Sequence, residues 1–297
     1  MKTRRNAFLT AIAAGAGLVF GASAVSAQQS PPPPALTKEQ IAGIVASPDR
    51  SAADRTNDLR RKPEEMLLFI GIRPGITALD LSAAGGYTTE LLARAIGPSG
   101  IVYGQSRPRD PSRPPPPPAA PEGNSHPTAA SGTPPAAAPA PPAGAPRPSP
   151  DALAARDSVL RKSDIKAAPI TAVVRPFEDP VPPELAPFDL VTLMFNYHDL
   201  GFLGVDRAAM NRAVFQALKP GGFYVIADHS GRPGTGISES GTLHRVEEAF
   251  LRKEVEAAGF KLAAEGTFLR NPNDPRDKNT PDPPQPKDEF VLKFVKP

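Results

Sequence analysis

Apolar positions along the chain change period again and again, from helical spacing to short continuous runs and back. "TKEQIAGIVAS" opens with Thr37 and has Gln40 three residues later, a capping box that predicts a helix. "KPEEMLLFIGI" places Pro63 at a helix start with two acids behind it, as the helix dipole favours. "GITALDLS" is a short apolar run and predicts a buried strand, "TTELLARAIG" a helix ended by Gly97, and "GIVYGQ" a second strand. "PDALAARDSVLRKS" predicts a helix and "ITAVVRPF" a third strand. "FDLVTLMFNYH" is apolar at successive positions, so both faces of this fourth strand should be covered, as in the centre of a parallel sheet.

The second half continues the alternation. "DRAAMNRAVFQAL" predicts a helix capped by Asp206, and "GGFYVIADHS" a fifth strand. "GTLHRVEEAFLRKEVEAAGF" predicts one long helix, with Leu243, Val246, Phe250 and Ala257 along a face and Gly259 at its end. "FKLAAEGTFL" and "DEFVLKFVKP" are two last strands joined by a polar, Pro-rich loop, and the second alternates as an antiparallel strand does. Strands alternating with helices imply an α/β fold with a doubly wound, mostly parallel sheet. The closing hairpin is unusual for a plain dinucleotide fold.

Composition divides the chain. Forty of its 297 residues are Pro, concentrated between Pro108 and Pro150 among Ala, Ser and Gly, so this insert cannot bury a core and should be disordered. "MKTRRNAFLTAIAAGAGLVFGASAVSAQQ" has a basic start, an apolar run and a small-residue site ending at Ala27, a secretory signal rather than a membrane span. Arg4 and Arg5, with Phe8 and Leu9 following, resemble a twin-arginine signal with one residue too many in between, and general secretion stays open beside it. The expected organisation is a signal over 1–27, a Pro-rich spacer over 28–36, one domain built from 37–107 and 151–297, and the insert over 108–150. The expected location is periplasmic or secreted.

The net charge of +3 comes from Lys2, Arg4 and Arg5 of the signal. The remainder is balanced, which removes a nucleic-acid footprint. No later run is long enough to span a membrane. Cysteine is absent, which excludes disulfides, a thiol nucleophile and a thiolate metal site.

The stretches "LDLSAAGGYTTELL", "GPSGIVYGQ", "FDLVTLMFNYHDL", "LKPGGFYVIADH", "LHRVEEAFLRKEVEAAGF" and "DEFVLKFVKP" occur in an order that resembles class I S-adenosylmethionine-dependent methyltransferases. The similarity is greatest to a bacterial group of exported, predicted methyltransferases. It covers about residues 60–105 and 165–297. The resemblance implies a Rossmann-like seven-stranded sheet of order 3-2-1-4-5-7-6, S-adenosylmethionine as cofactor and a small-molecule acceptor.

Ligands in such folds bind outside the carboxyl ends of the strands, at the switch point of the sheet. The family's loop has Gly at three alternate positions, which here are Ser82, Ala84 and Gly86, with Gly85 beside the last. Ser and Ala do not enter positive φ cheaply, so the loop reads as modified. The resemblance makes Asp80 the acid that orders this loop, with Tyr87 following it. It places Gln105 and Ser106 where the family has an acid for the ribose hydroxyls, Glu178 with Asp179 near the adenine, and Asn196 at the reaction edge.

Four histidines are present. His126 lies in the insert. His198 and His229 follow the fourth and fifth strands, and His244 opens the expected long helix. A neutral His is a natural base near neutral pH. His198 is the expected base and His229 the second choice. Asp199 or Asp228 would orient an imidazole, and Tyr197 would shape the acceptor pocket. His198, Asp199, Asp228, His229 and His244 also offer metal-ligand atoms, yet no HxH or HExxH spacing is present and no metal is expected. Arg60, Arg61 and Lys62 read either as a carboxylate-holding trio or as a solvated helix start. A GxSxG elbow is absent, which removes serine hydrolysis. A non-catalytic binding protein on the same fold is the second reading, and an NAD-type oxidoreductase a third that Asp80 and the hairpin oppose.

Overall fold

Seven strands form one sheet in the order β3-β2-β1-β4-β5-β7-β6. The computed structural model describes residues 33–109, 149–185, 187–279 and 285–297. The expected signal, residues 28–32 of the spacer and residues 110–148 of the insert lie outside the described residues. Three helices precede the sheet: α1 (Lys38–Val45), α2 (Ala52–Arg61) and α3 (Pro63–Ile70). Then follow β1 (Thr77–Leu81), α4 (Tyr87–Ile96), β2 (Ile101–Ser106), α5 (Ser149–Lys162) and β3 (Ile170–Val174). The second half contains β4 (Phe188–Met194), α6 (Tyr197–Phe202), α7 (Arg207–Ala217), β5 (Leu218–His229), α8 (Glu248–Ala257), β6 (Lys261–Gly266) and β7 (Glu289–Val295).

Strands β1 to β5 pair in parallel, while β7 runs antiparallel to both β5 and β6. Stretches on either side of the insert thus feed a single sheet. Along each strand, alternate side chains enter opposite layers, as a pleated backbone requires. Ala78, Leu190, Val225, Ala227 and Val291 pack with α1, α3, α4 and α5. Leu79, Leu81, Val191, Leu193, Tyr224, Ile226 and Phe290 pack with α6, α7 and α8. Full burial of such a side chain contributes about 1.5–3 kcal/mol, so the two-sided core is the main stabiliser of a chain without disulfides. Gly104 lets α5 close on β2: a Cβ there would lie 2.5 Å from Leu153 Cδ1.

Several local expectations reappear. Thr37 and Gln40 make both bonds of the capping box, Gly97 ends α4, and Asp206 Oδ1 accepts from the Ala209 N–H at the start of α7. Two differ. The expected long helix begins only at Glu248. His244 is left-handed with φ of 51°, and Val246 bridges to Ser230 instead, which breaks the helical path that Leu243 and Val246 suggested. His244 therefore sits in a turn before α8. The other difference is α2, capped by the Ser51 side chain. Its hydrophobic residues are too few to mark it, and ion pairs rather than apolar packing hold it.

No helix among the described residues is long and apolar enough to cross a membrane.

Candidate functional site

The switch point lies where β1 has β2 on one side and β4 on the other. Ser82 (φ 56°), Ala84 (φ 46°) and Gly86 (φ 78°) are all left-handed, so the loop keeps at Ser82 and Ala84 the conformation that glycine would supply. A non-Gly residue held there costs on the order of 1 kcal/mol, and strain of this kind concentrates at functional sites. Phe195, at the end of β4 on the same edge, is left-handed as well (φ 57°). Replacing Ser82 and Ala84 together by Gly should raise stability by roughly 1 kcal/mol, net of the greater entropy of unfolded glycine. Urea unfolding of Ser82→Gly/Ala84→Gly that shows no gain would contradict the strained loop.

Asp80 is buried at the end of β1, where its oxygens accept from Thr89 Oγ1 at 2.7 Å and Thr192 Oγ1 at 2.8 Å. It ties the loop strand to α4 and β4. Burial raises its pKa to about 6, against the opposing effect of the two threonine bonds. Ala84 and Gly85 are exposed, and a Cβ on Gly85 would meet nothing within 4 Å, so the loop crest is open. Gly86 is not part of that opening. A Cβ on it would lie 2.8 Å from both Leu153 and Arg156 of α5, so a larger residue would collide with a helix and not with a ligand.

Charged groups brace the loop. Arg156 donates to Gly85 O at 2.5 Å and pairs with both Asp54 and Glu90. Tyr87 OH donates to Asp58 Oδ1 at 2.7 Å, and Arg50 holds the same carboxylate with two bonds. The Arg60 and Arg61 guanidinium groups lie 4.7 and 4.6 Å from the Phe195 ring centroid. Arg60 and Arg61 thus cover the end of β4, while Lys62 is exposed and donates to Phe268 O at 2.5 Å.

The end of β2 differs from its expected role. Gln105 is fully buried; its Oε1 accepts from the Ser82 N–H at 3.0 Å and its Nε2 donates to Arg175 O at 2.7 Å. The amide staples the loops after β1 and β3 together and is not presented to a ligand. Ser106 is half-buried beside it. Glu178 accepts from the Asp206 N–H at 3.3 Å and Asp179 pairs with Arg175, so both acids belong to loop contacts on the β3 side.

At the ends of β4 and β5 the expected catalytic residues separate. Tyr197 is fully buried, with its hydroxyl donating to Glu254 Oε2 at 2.8 Å and accepting from Asn211 Nδ2 at 3.0 Å. It points into the core towards α7 and α8 and away from the cavity beside β7. His198 has both ring nitrogens engaged: Nδ1 lies 2.6 Å from Asp228 Oδ1 and Nε2 lies 3.2 Å from Asp199 Oδ1. Burial opposes its charge, but Asp228 and Asp199 overcome this and lift its pKa to about 10. The expected base is instead clamped between two carboxylates. Burial would raise the Asp199 pKa, yet His198 and His244 keep it below the usual range. His244 Nδ1 lies 3.1 Å from Asp199 Oδ1. Asn196 is at this edge, donating from Nδ2 to Asp199 Oδ2 at 2.9 Å.

His229 stays neutral, because burial and the nearby Lys287 push its pKa well down. Its Nδ1 is 2.9 Å from Glu289 Oε1, out of line for a hydrogen bond. Glu289, which the sequence reading missed, faces His229 across the β5–β7 register and pairs with Arg60 at 2.7 Å. Burial lifts its carboxyl to about 7, with Arg60 opposing. Glu289 also lines a cavity of about 370 Å³ together with Arg60, Lys62, Arg270 and Lys287. Its position as an acid opening the last strand was the available signal.

No family model and no curated protein matches the sequence. Solved structures do. An S-adenosylmethionine-dependent methyltransferase from Aquifex aeolicus aligns at 14% identity and a TM-score of 0.47, over 84% of this chain and 100% of that one. One from Clostridium acetobutylicum aligns at 10% identity and 0.44, over 86% and 96%. Aeropyrum pernix fibrillarin with bound S-adenosyl-L-methionine aligns at 16% and 0.39, over 75% and 68%. The chain itself folds as a Rossmann-like, doubly wound seven-stranded sheet of order 3-2-1-4-5-7-6 with an antiparallel C-terminal hairpin.

Proposed function

We propose that this protein transfers a methyl group from S-adenosylmethionine to a small-molecule acceptor. The observation that carries this reading is the loop after β1. It keeps left-handed geometry at Ser82, Ala84 and Gly86, at the switch point of a 3-2-1-4-5-7-6 sheet, although two of the three are not glycine. A backbone held so against its own strain suits close approach of a ligand. The open crest at Ala84 and Gly85 fits the donor, which Ser82, Ala84, Gly85, Tyr87, Ser106 and Asn196 would hold. The bound donor supplies an already activated methyl group.

The chain's own residues then position the acceptor. The cavity beside Glu289 carries Arg60, Lys62, Arg270 and Lys287, which suits an acceptor bearing negative charge. Glu289, with its pKa near 7, takes the proton from the acceptor heteroatom. Proximity supplies the remaining rate. Incubation with methyl-labelled donor and a small-molecule extract should label an acceptor. Glu289→Gln should lower that transfer by roughly a hundredfold while donor binding persists. Equal transfer by Glu289→Gln would remove the base assignment.

One observation favours the second reading, a binding protein without turnover. Gln105 stands where the family has an acid for the ribose, and it is fully buried between two loops. Donor retained unchanged in the labelling experiment supports that reading. Export after Ala27 belongs to the proposal too, and a chain recovered in the cytoplasm with residues 1–27 attached would contradict it.

A further inference from the structure

We propose that His198, Asp199 and His244 form a binding site for a divalent transition-metal ion, independent of whether methyl transfer occurs. The three ligand atoms lie within 4.8 Å of one another. Asp199 Oδ1 is 3.2 Å from His198 Nε2 and 3.1 Å from His244 Nδ1. Metal–ligand bonds of about 2.0–2.2 Å, at tetrahedral or octahedral angles, separate neighbouring ligand atoms by roughly 2.8–3.6 Å. Both separations from Asp199 fall inside that window, and an ion there takes the place of the proton that His198 Nε2 shares with Asp199. Two imidazoles and one carboxylate also leave coordination positions open.

The surroundings match what orients metal ligands. A ligating His usually gives its second nitrogen to a carboxylate, and His198 Nδ1 meets Asp228 at 2.6 Å. Asp228 is itself fixed, accepting from the His198 and His229 backbone N–H groups at 2.8 and 2.7 Å. Asn196 Nδ2 holds Asp199 Oδ2, which leaves Oδ1 for the imidazoles. Asn196 Oδ1 is buried without a hydrogen-bond partner among the described residues. His244 is kept in a left-handed conformation, and its ring meets the His198 ring edge-on at 5.6 Å.

A second trio, His198, Asp228 and His229, also has its ligand atoms close together. Asp228 is wholly buried there and its bonds are spent, so an ion has no entry. The outer trio is reachable, because the His244 and Asp199 side chains are 43% and 30% exposed. Two nitrogen ligands select an imidazole-binding metal over magnesium or calcium.

The test uses the untagged chain, with zinc(II) followed by calorimetry and cobalt(II) by visible absorption. One ion per chain should bind, with a cobalt spectrum of nitrogen and oxygen ligation. His244→Ala and the isosteric Asp199→Asn should each weaken zinc binding at least about tenfold while circular dichroism and melting temperature stay near those of the parent. His229→Gln should leave zinc binding unchanged. Absence of stoichiometric binding overturns the site, as does equal binding by His244→Ala. Loss on His229→Gln alone would move the ion to the inner trio and overturn this assignment.

Discussion

Arg245→Met should destabilise the fold by about 3–5 kcal/mol, the usual result of breaking a buried ion pair from one side. Arg245 and Asp274 are both essentially unexposed, with Nη1 and Oδ2 at 2.9 Å. The guanidinium also donates to Ser230 O at 2.9 Å and to Lys278 O at 3.0 Å. It therefore fastens the end of β5 to the β6–β7 connection. Removal leaves Asp274 buried, with the backbone N–H groups of Asp288 and Arg276 as its partners among the described residues. The Arg245→Met/Asp274→Asn double variant should recover part of the loss, because the uncompensated charge goes with it. Urea unfolding of the four-member cycle measures the coupling. A loss under 1 kcal/mol for Arg245→Met would show that the pair is not closed. Function follows from the same clamp: Arg245 adjoins His244, and the connection that it holds carries Asn273 and Arg270 of the cavity wall.

Asp80→Asn should raise stability near neutral pH and weaken donor binding at the same time. The folded carboxyl has a pKa of about 6, against 3.8 ordinarily, chiefly because it is buried. Between those values the folded chain holds a proton that the unfolded chain has released. Stability from this group is therefore greatest below about pH 4 and falls as pH rises through 6. The gap corresponds to on the order of 3 kcal/mol between pH 4 and 7. An amide carries no charge to desolvate and can still bond Thr89 and Thr192, so the variant should lose that pH dependence. Unfolding free energies of both proteins from pH 4 to 7 check this. Parallel curves would show that Asp80 is not titrating within the fold. A wild-type carboxylate kept at such a cost is what a functional site retains.

The layout of the sheet was legible in the sequence because both its signals are local. Five apolar runs alternate with helical spacing, and "EFVLKF" is a last short apolar run, buried on both faces of the sheet rather than on one. The loop was legible in part. Ser82 and Ala84 showed that glycine positions were altered, but only the backbone shows that they take the glycine conformation regardless. What failed was the reading of side-chain direction. Tyr197 and His198 are adjacent, and a six-residue helix turns the first into the core and the second onto Asp228. Gln105 has the polarity of a ligand contact, yet its partners are the loops from Ser82 and Arg175, far away in sequence. Glu289 reads as one charged residue opening a strand, and it gains its buried setting only from α2 and β5. The His198–Asp199–His244 trio has no sequence spacing to recognise, because the turn that carries His244 interrupts what the apolar pattern presents as continuous helix.

The central claim, that the strained loop at the end of β1 is a working donor site, is tested most directly by calorimetric titration of the wild-type chain with S-adenosylhomocysteine, the demethylated product. The account predicts one site per chain, weakened by Asp80→Asn, with a matching rise in melting temperature as ligand is added. No heat and no thermal shift at millimolar ligand would contradict it.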